Sequence, residues 1–175
     1  MRIKLVLSLF LCASMLCGIG CNRDYVEYSD NDIGFEIKYP VGWQVKHVDQ
    51  EGVAINFESP IEDAGDGFPE NISVTAGEFD RVITSSEFAD LSISATKAYM
   101  KNVLILKKSG FTTGNLKGTT LEYSATGFSG EKLIFHQVFF VIDKRLFSVI
   151  STLEEKNAEK YLPVIRRVVD SFQIK

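Results

Sequence analysis

Apolar and polar residues alternate over much of this chain. Phe35-Glu36-Ile37-Lys38-Tyr39 has the period of two expected of a half-buried strand, and Tyr39-Pro40-Val41-Gly42 reads as the turn that ends it. A strand from Trp43 to Val48 follows. Val53, Ile55 and Phe57 then mark one face of another, and Ile72, Val74 and Ala76 repeat the pattern. The period then lengthens. Thr84-Ser85-Ser86-Glu87 has the spacing of a capping box, in which hydroxyl and carboxylate satisfy each other's backbone donors. Behind it Phe88, Leu91, Ala95 and Ala98 form a helical stripe reaching as far as Asn102-Val103. Strands resume near Ile105. Thr119, Leu121 and Tyr123 alternate, Gly127-Phe128-Ser129-Gly130 turns, and Leu133 to Ile142 is apolar on both faces, as a central strand covered on both sides should be. Asp143-Lys144 turns into a strand from Leu146 to Leu153. A last helix buries Tyr161, Ile165, Val168 and Phe172, with Pro163 either starting its regular part or kinking it. The fold class expected is α+β: a central antiparallel sheet covered by helices on both faces.

The first twenty residues follow a different logic. Arg2 and Lys4 precede an apolar run from Leu5 to Leu16, and Gly18-Ile19-Gly20 leads to Cys21. A basic start, a short apolar core and small residues before a cleavage point describe a secretory signal, and the run is too short to span a bilayer. The ending resembles a bacterial lipoprotein signal, which implies cleavage after Gly20 and acylation of Cys21. Gly18 departs from the leucine usual three residues before such a cysteine. The expected organisation is a signal peptide over 1–20, a tether over 21–25 beginning at lipidated Cys21, and one domain over 26–175. That places the protein in the cell envelope, held to the membrane by lipid. Asn22 in place of Asp lacks the best-known inner-membrane retention signal.

Composition narrows the chemistry. All three cysteines lie at or before position 21, so the domain has no disulfide, thiolate metal site or cysteine nucleophile. Loss of the positive charges on Arg2 and Lys4 takes the formal net charge from −4 to −6. Basic residues are scattered, so nucleic acid is not an expected partner.

Gly34-Phe35-Glu36-Ile37-Lys38-Tyr39-Pro40-Val41-Gly42-Trp43 resembles the opening motif of PsbP-like domains. Phe57-Glu58-Ser59-Pro60, Glu70-Asn71-Ile72-Ser73-Val74 and Asp170-Ser171-Phe172 resemble later landmarks of that family in the same order. The resemblance runs from about Tyr25 to Ile174, and its motifs mark a fold, not a reaction. It implies a central antiparallel sheet between helices and a role in binding or assembly. The photosynthetic members carry a tryptophan-containing segment where this chain has Ser151-Thr152-Leu153-Glu154-Glu155, which favours the broader lipoprotein branch. Within this resemblance the alternative is an extrinsic subunit or assembly factor of photosystem II, with calcium or zinc binding.

Candidate reactive groups are few. His136 sits in the apolar strand and is expected to be a hydrogen-bonded histidine near the core. His47 with Asp49 suits weak zinc binding, but a solvated strand end accounts for both. Asp63 and Asp66, in the acidic loop Glu62-Asp63-Ala64-Gly65-Asp66-Gly67, suit a hard cation or a basic partner, and a solvated loop accounts for them too. Asp30-Asn31-Asp32-Ile33-Gly34 lacks the closing glutamate of a calcium loop and reads as a turn. Ser129 lacks the glycine pattern of a nucleophile elbow. No cofactor, metal or catalytic set is expected. The function expected is that of a non-catalytic, membrane-anchored envelope lipoprotein that binds a protein partner, with an unrecognised hydrolase as a further alternative.

Overall fold

The computed structural model describes residues 24–48, 52–62 and 67–175. Among these, β1 (Tyr25–Asp30), β2 (Phe35–Pro40) and β10 (Gln173–Ile174) form a three-stranded sheet in the order β1-β2-β10. The remaining strands are β3 (Gln44–Lys46), β4 (Val53–Glu58), β5 (Asn71–Glu78), β6 (Lys101–Thr113), β7 (Leu116–Thr126), β8 (Lys132–Ile142) and β9 (Arg145–Glu154). They make a seven-stranded sheet in the order β3-β4-β5-β9-β8-β7-β6, with every neighbouring pair antiparallel. Helix α1 (Ser85–Tyr99) packs on β7 and β8, and α2 (Ala158–Asp170) packs on β2 and β9. No helix among the described residues is long and apolar enough to cross a membrane.

Alternation along β8 separates the faces. Val138 and Phe140 join one buried cluster with Phe35, Phe57, Ile165 and Phe172, whereas Phe139 joins Ala89, Leu121 and Tyr123 in another. Successive strand residues point to opposite faces, so α1 covers one face while α2 and the small sheet cover the other. The expected α+β sandwich is present, and β8 lies inside the sheet with cover on both sides. The three-stranded sheet is an addition to the sequence reading.

The family-like motifs have physical roles here. Phe172 lies on the rings of Phe140 and Phe35, with centroids 5.3 and 5.8 Å away. The Ser171 hydroxyl accepts the Lys38 amide at 2.8 Å and donates to the Val168 carbonyl at 2.6 Å, tying the end of α2 to β2. Tyr39 stacks on Phe57 at 4.7 Å, and Trp43 meets the ring of Tyr161 at 6.1 Å.

Several local expectations shift. The turn after β2 is one residue later than the sequence suggests: the Trp43 amide reaches the Pro40 carbonyl at 3.2 Å, and Gly42 takes φ +89° at the third position. A positive φ at that position is what a type II turn demands. Helix α1 starts with the predicted box: the Thr84 side chain accepts the Glu87 amide, and the Glu87 carboxylate accepts the Thr84 amide. It ends at Tyr99, so Asn102 and Val103 belong to β6. Its inward face is also rotated from the predicted stripe. Leu91, Ala95 and Ala98 are exposed, while Ala89 is buried and Ser92 turns inward to donate to Gln137 at 3.1 Å. Polar side chains on the sheet below α1 select that face. Tyr161, Ile165, Val168 and Phe172 are all buried as expected, but Phe172 lies beyond the end of α2, and Pro163 lies inside α2, not at its start. Strand β1 begins at Tyr25.

Candidate functional site

The register of the central strands assembles a polar row that no local motif announces. Lys107 of β6 lies opposite Glu122 of β7, Glu122 opposite His136 of β8, and His136 opposite Ser151 of β9. Directly opposed residues share a face, and Val138 places this one on the α2 side. Arg166, Val169 and Asp170 of α2 close over Lys107, Glu122 and His136 to leave a cleft of about 320 Å³.

His136 is buried, and its Nε2 lies 3.7 Å from Glu122 Oε1, beyond hydrogen-bond length. Its Nδ1 is buried without a hydrogen-bond partner among the described residues, as is the Ser151 hydroxyl. The expected hydrogen-bonded histidine is therefore corrected: the ring sits near the core with one nitrogen unsatisfied. Burial, foremost, holds its pKa below the usual histidine value. Glu122 opposes this, and the cations Arg166 and Lys107 reinforce it. These surroundings favour the neutral imidazole.

Serine, histidine and glutamate in sequence across three strands invite comparison with a hydrolytic triad. The geometry differs from one. Ser151 has 0% exposure and no hydrogen bond to His136, so its hydroxyl is neither activated by the imidazole nor open to a substrate. What the cleft presents to solvent is a mixed set of Lys107, Glu122, Arg166 and Asp170.

A second buried polar cluster closes the base of the acidic loop. Glu70 is fully buried; its carboxylate accepts from Ser59 Oγ at 3.2 Å and from Asn157 Nδ2 at 2.7 Å. The Ser59 amide donates to the Glu70 carbonyl at 2.8 Å, fastening both ends of the loop. Glu62 accepts from Lys160 and from the Tyr161 hydroxyl, and these bonds hold its carboxyl below the usual range.

Of the residues singled out from sequence, Cys21, Asp49, Asp63 and Asp66 lie outside the described residues. His47 is exposed just beyond β3. Among the described residues no group of three histidine, cysteine or acidic side chains converges in a way that could hold a metal ion. The Asp30 carboxylate accepts the amides of Asp32 and Ile33 at 3.0 and 2.9 Å, so the stretch compared with a calcium loop is a turn. Ser129 lies in the β7–β8 turn. Glu122, Ser151 and Glu70 were not legible as partners, although one signal existed. Reflecting position 136 about the Asp143-Lys144 turn lands on Ser151, whereas reflecting it about the Gly127–Gly130 turn lands on Leu121, one residue from the observed partner Glu122.

Comparison with known proteins agrees with this architecture. The chain is similar in structure to cyanobacterial PsbP (CyanoP) from Synechocystis sp. PCC 6803, with TM-score 0.64 at 19% identity over 91% of this chain and 97% of that one. It is similar to LpqN, involved in cell envelope biogenesis of Mycobacterium tuberculosis, with TM-score 0.67 at 12% identity over 86% and 90%. The Saccharomyces cerevisiae Ran-binding protein Mog1p gives 0.60 at 11% identity over 87% and 96%. At these identities the likeness is one of fold. No curated protein sequence matches significantly. The PsbP family model matches residues 23–174, almost the whole of the described fold, and the chain belongs to the PsbP family.

Proposed function

We propose that this protein is a non-catalytic lipoprotein of the cell envelope, acylated at Cys21, which binds a protein partner or assists assembly. The observation that carries the reading is where the first described strand lies. β1 starts at Tyr25, four residues after Cys21, and pairs with β2 along its whole length. A domain that begins so close to an acylated cysteine works at the membrane surface. The structural relatives support a binding or accessory role: the solved proteins of this fold include one involved in cell envelope biogenesis and one that binds Ran. The seclusion of Ser151 supports a role without hydrolysis.

Intact mass and membrane fractionation of the wild type beside Cys21→Ala test the anchor. A diacylglyceryl mass and membrane retention, both lost in the variant, are expected; a soluble, unmodified wild type would refute it. Crosslinking in intact membranes followed by affinity capture tests the partner. The reading expects a specific envelope protein to be enriched, and capture of none would count against it.

A further inference from the structure

Antiparallel register aligns one set of strand ends. Gln44 of β3, Glu58 of β4, Asn71 of β5, Lys132 of β8, Thr126 of β7 and Lys101 of β6 all lie at the same end of the seven-stranded sheet. The chain enters the fold there as well. Tyr25 lies opposite Pro40, the Val41 amide donates to the Asp24 carbonyl at 2.9 Å, and Trp43 leads directly into Gln44.

That end is unusually apolar on its outside. Phe128, at the tip of the β7–β8 turn, is 99% exposed, and Tyr99, the last residue of α1, is 82% exposed. With Met100 they line one small cleft of about 130 Å³. Val41 and Ile61 add exposures of 58% and 53% beside the point of entry. The tight turns at the opposite end, Asn31-Asp32, Gly114-Asn115 and Asp143-Lys144, are polar, with Val82 of the β5–α1 connection and Ile142 exposed beside them. An almost fully exposed phenylalanine at a turn tip, grouped with other apolar side chains, marks an interaction surface.

We propose that this end of the domain lies against the lipid bilayer, with Phe128 and Tyr99 entering the interface. The inference rests on the anchoring reading above, and reach selects the occupant. Asp24 is three residue steps from Cys21 along the chain, and a fully extended chain covers about 11 Å in that length. An acyl anchor at Cys21 therefore holds the entry end close to the headgroups. Phe128 lies about 20 Å across the sheet from β3, four strand spacings away, and a bilayer plane laid over the strand ends meets both. Aromatic side chains suit the headgroup level, with an apolar body and, for Tyr99, a polar tip. Lys46, Lys132, Lys156 and Lys160 at this end are paired with Glu58, Glu155, Glu154 and Glu62, and Lys101 lines the cleft with Tyr99 and Phe128.

The test uses the full acylated chain in phosphatidylethanolamine–phosphatidylglycerol vesicles, with or without brominated acyl chains. A polarity-sensitive fluorophore is placed on Phe128→Cys, Tyr99→Cys or Ile142→Cys; acylation blocks Cys21, so each new thiol is the single reactive one. Brominated lipid is expected to quench the labels at 128 and 99 at least twofold and to leave that at 142, on the opposite end, unchanged. Unquenched labels at 128 and 99, or equal quenching at all three, in protein whose mass carries the diacylglyceryl group would overturn the orientation alone. An unmodified mass would overturn the anchor and this inference together.

Discussion

On the α2 face of the large sheet sixteen buried residues form one cluster, rich in stacked phenylalanines; on the α1 face the cluster has six. The smaller face satisfies its polar groups. Gln137 donates to the Tyr123 hydroxyl at 3.0 Å and accepts from Ser92, and Ser85 bonds Thr119 at 2.9 Å. Away from α1 the same face carries a polar chain in which Ser73 donates to Asn56, Asn56 to Glu58, and Lys46 pairs with Glu58. The larger face leaves His136 Nδ1 and Ser151 Oγ unsatisfied, and Glu131 Oε2, in the β7–β8 turn, is also buried without a hydrogen bond. Under the two helices, the more apolar face thus holds the unpaired row and the less apolar face the paired network.

Adjacent phenylalanines provide the sharpest way to break this comparison. Phe140 packs on Phe172 and Phe111 in the larger cluster, and Phe139 packs on Phe88 in the smaller. Truncation of a buried phenylalanine costs about 3–5 kcal/mol. Phe140→Ala is expected at the upper end of that range and Phe139→Ala at the lower, read as urea unfolding midpoints. Equal costs would mean that the faces do not differ in cohesion. A smaller effect is expected from Gln137→Leu, which takes the acceptor from Ser92 and one of two partners, the other being Thr96, from the Tyr123 hydroxyl. It should cost about 1–3 kcal/mol, measured in the same way, and a neutral result would show that the α1 network contributes nothing.

The third test is pH. Because burial holds the folded pKa of His136 below its unfolded value, the unfolded chain binds more protons as pH falls through about 6.5. Stability is therefore expected to drop on acidification from pH 7 towards the folded pKa, and less steeply in His136→Leu. Parallel pH profiles for the two proteins would remove His136 as the source. The smallest effect belongs to Ser151→Ala. Deleting a buried hydroxyl that lacks a partner is expected to change stability by less than about 0.5 kcal/mol in either direction. A loss above about 1 kcal/mol would reveal a bonded partner, such as a water bridging to His136.

How far the sequence could be read follows from the range of each signal. The strands around Phe35, Ile55, Ile72 and Val138 and the stripe of α2 were legible because burial imposes a local period. The capping box was legible because its two members stand three residues apart. The inward face of α1 was not. Ser92 is drawn inward by Gln137, forty-five positions away, and an apolar count favours Leu91 instead. β10 is two residues long and has no period to show. The row from Lys107 to Ser151 exists only once three turns fix the register, so its members read singly as surface or core residues. The lowered pKa of His136 is a product of that assembly, not of its neighbours in the chain.

Strand β6 carries one last consequence. It is the longest strand, it forms an open edge of the large sheet, and its pairing with β7 slips twice, between Lys101 and Leu104 and between Ile105 and Lys107. Exposed edges invite a second molecule to continue the sheet. Here the slips break the even spacing of free amide and carbonyl groups. Two copies meeting edge to edge would find their hydrogen-bonding groups out of step, which guards a crowded population of this protein against runaway β-pairing.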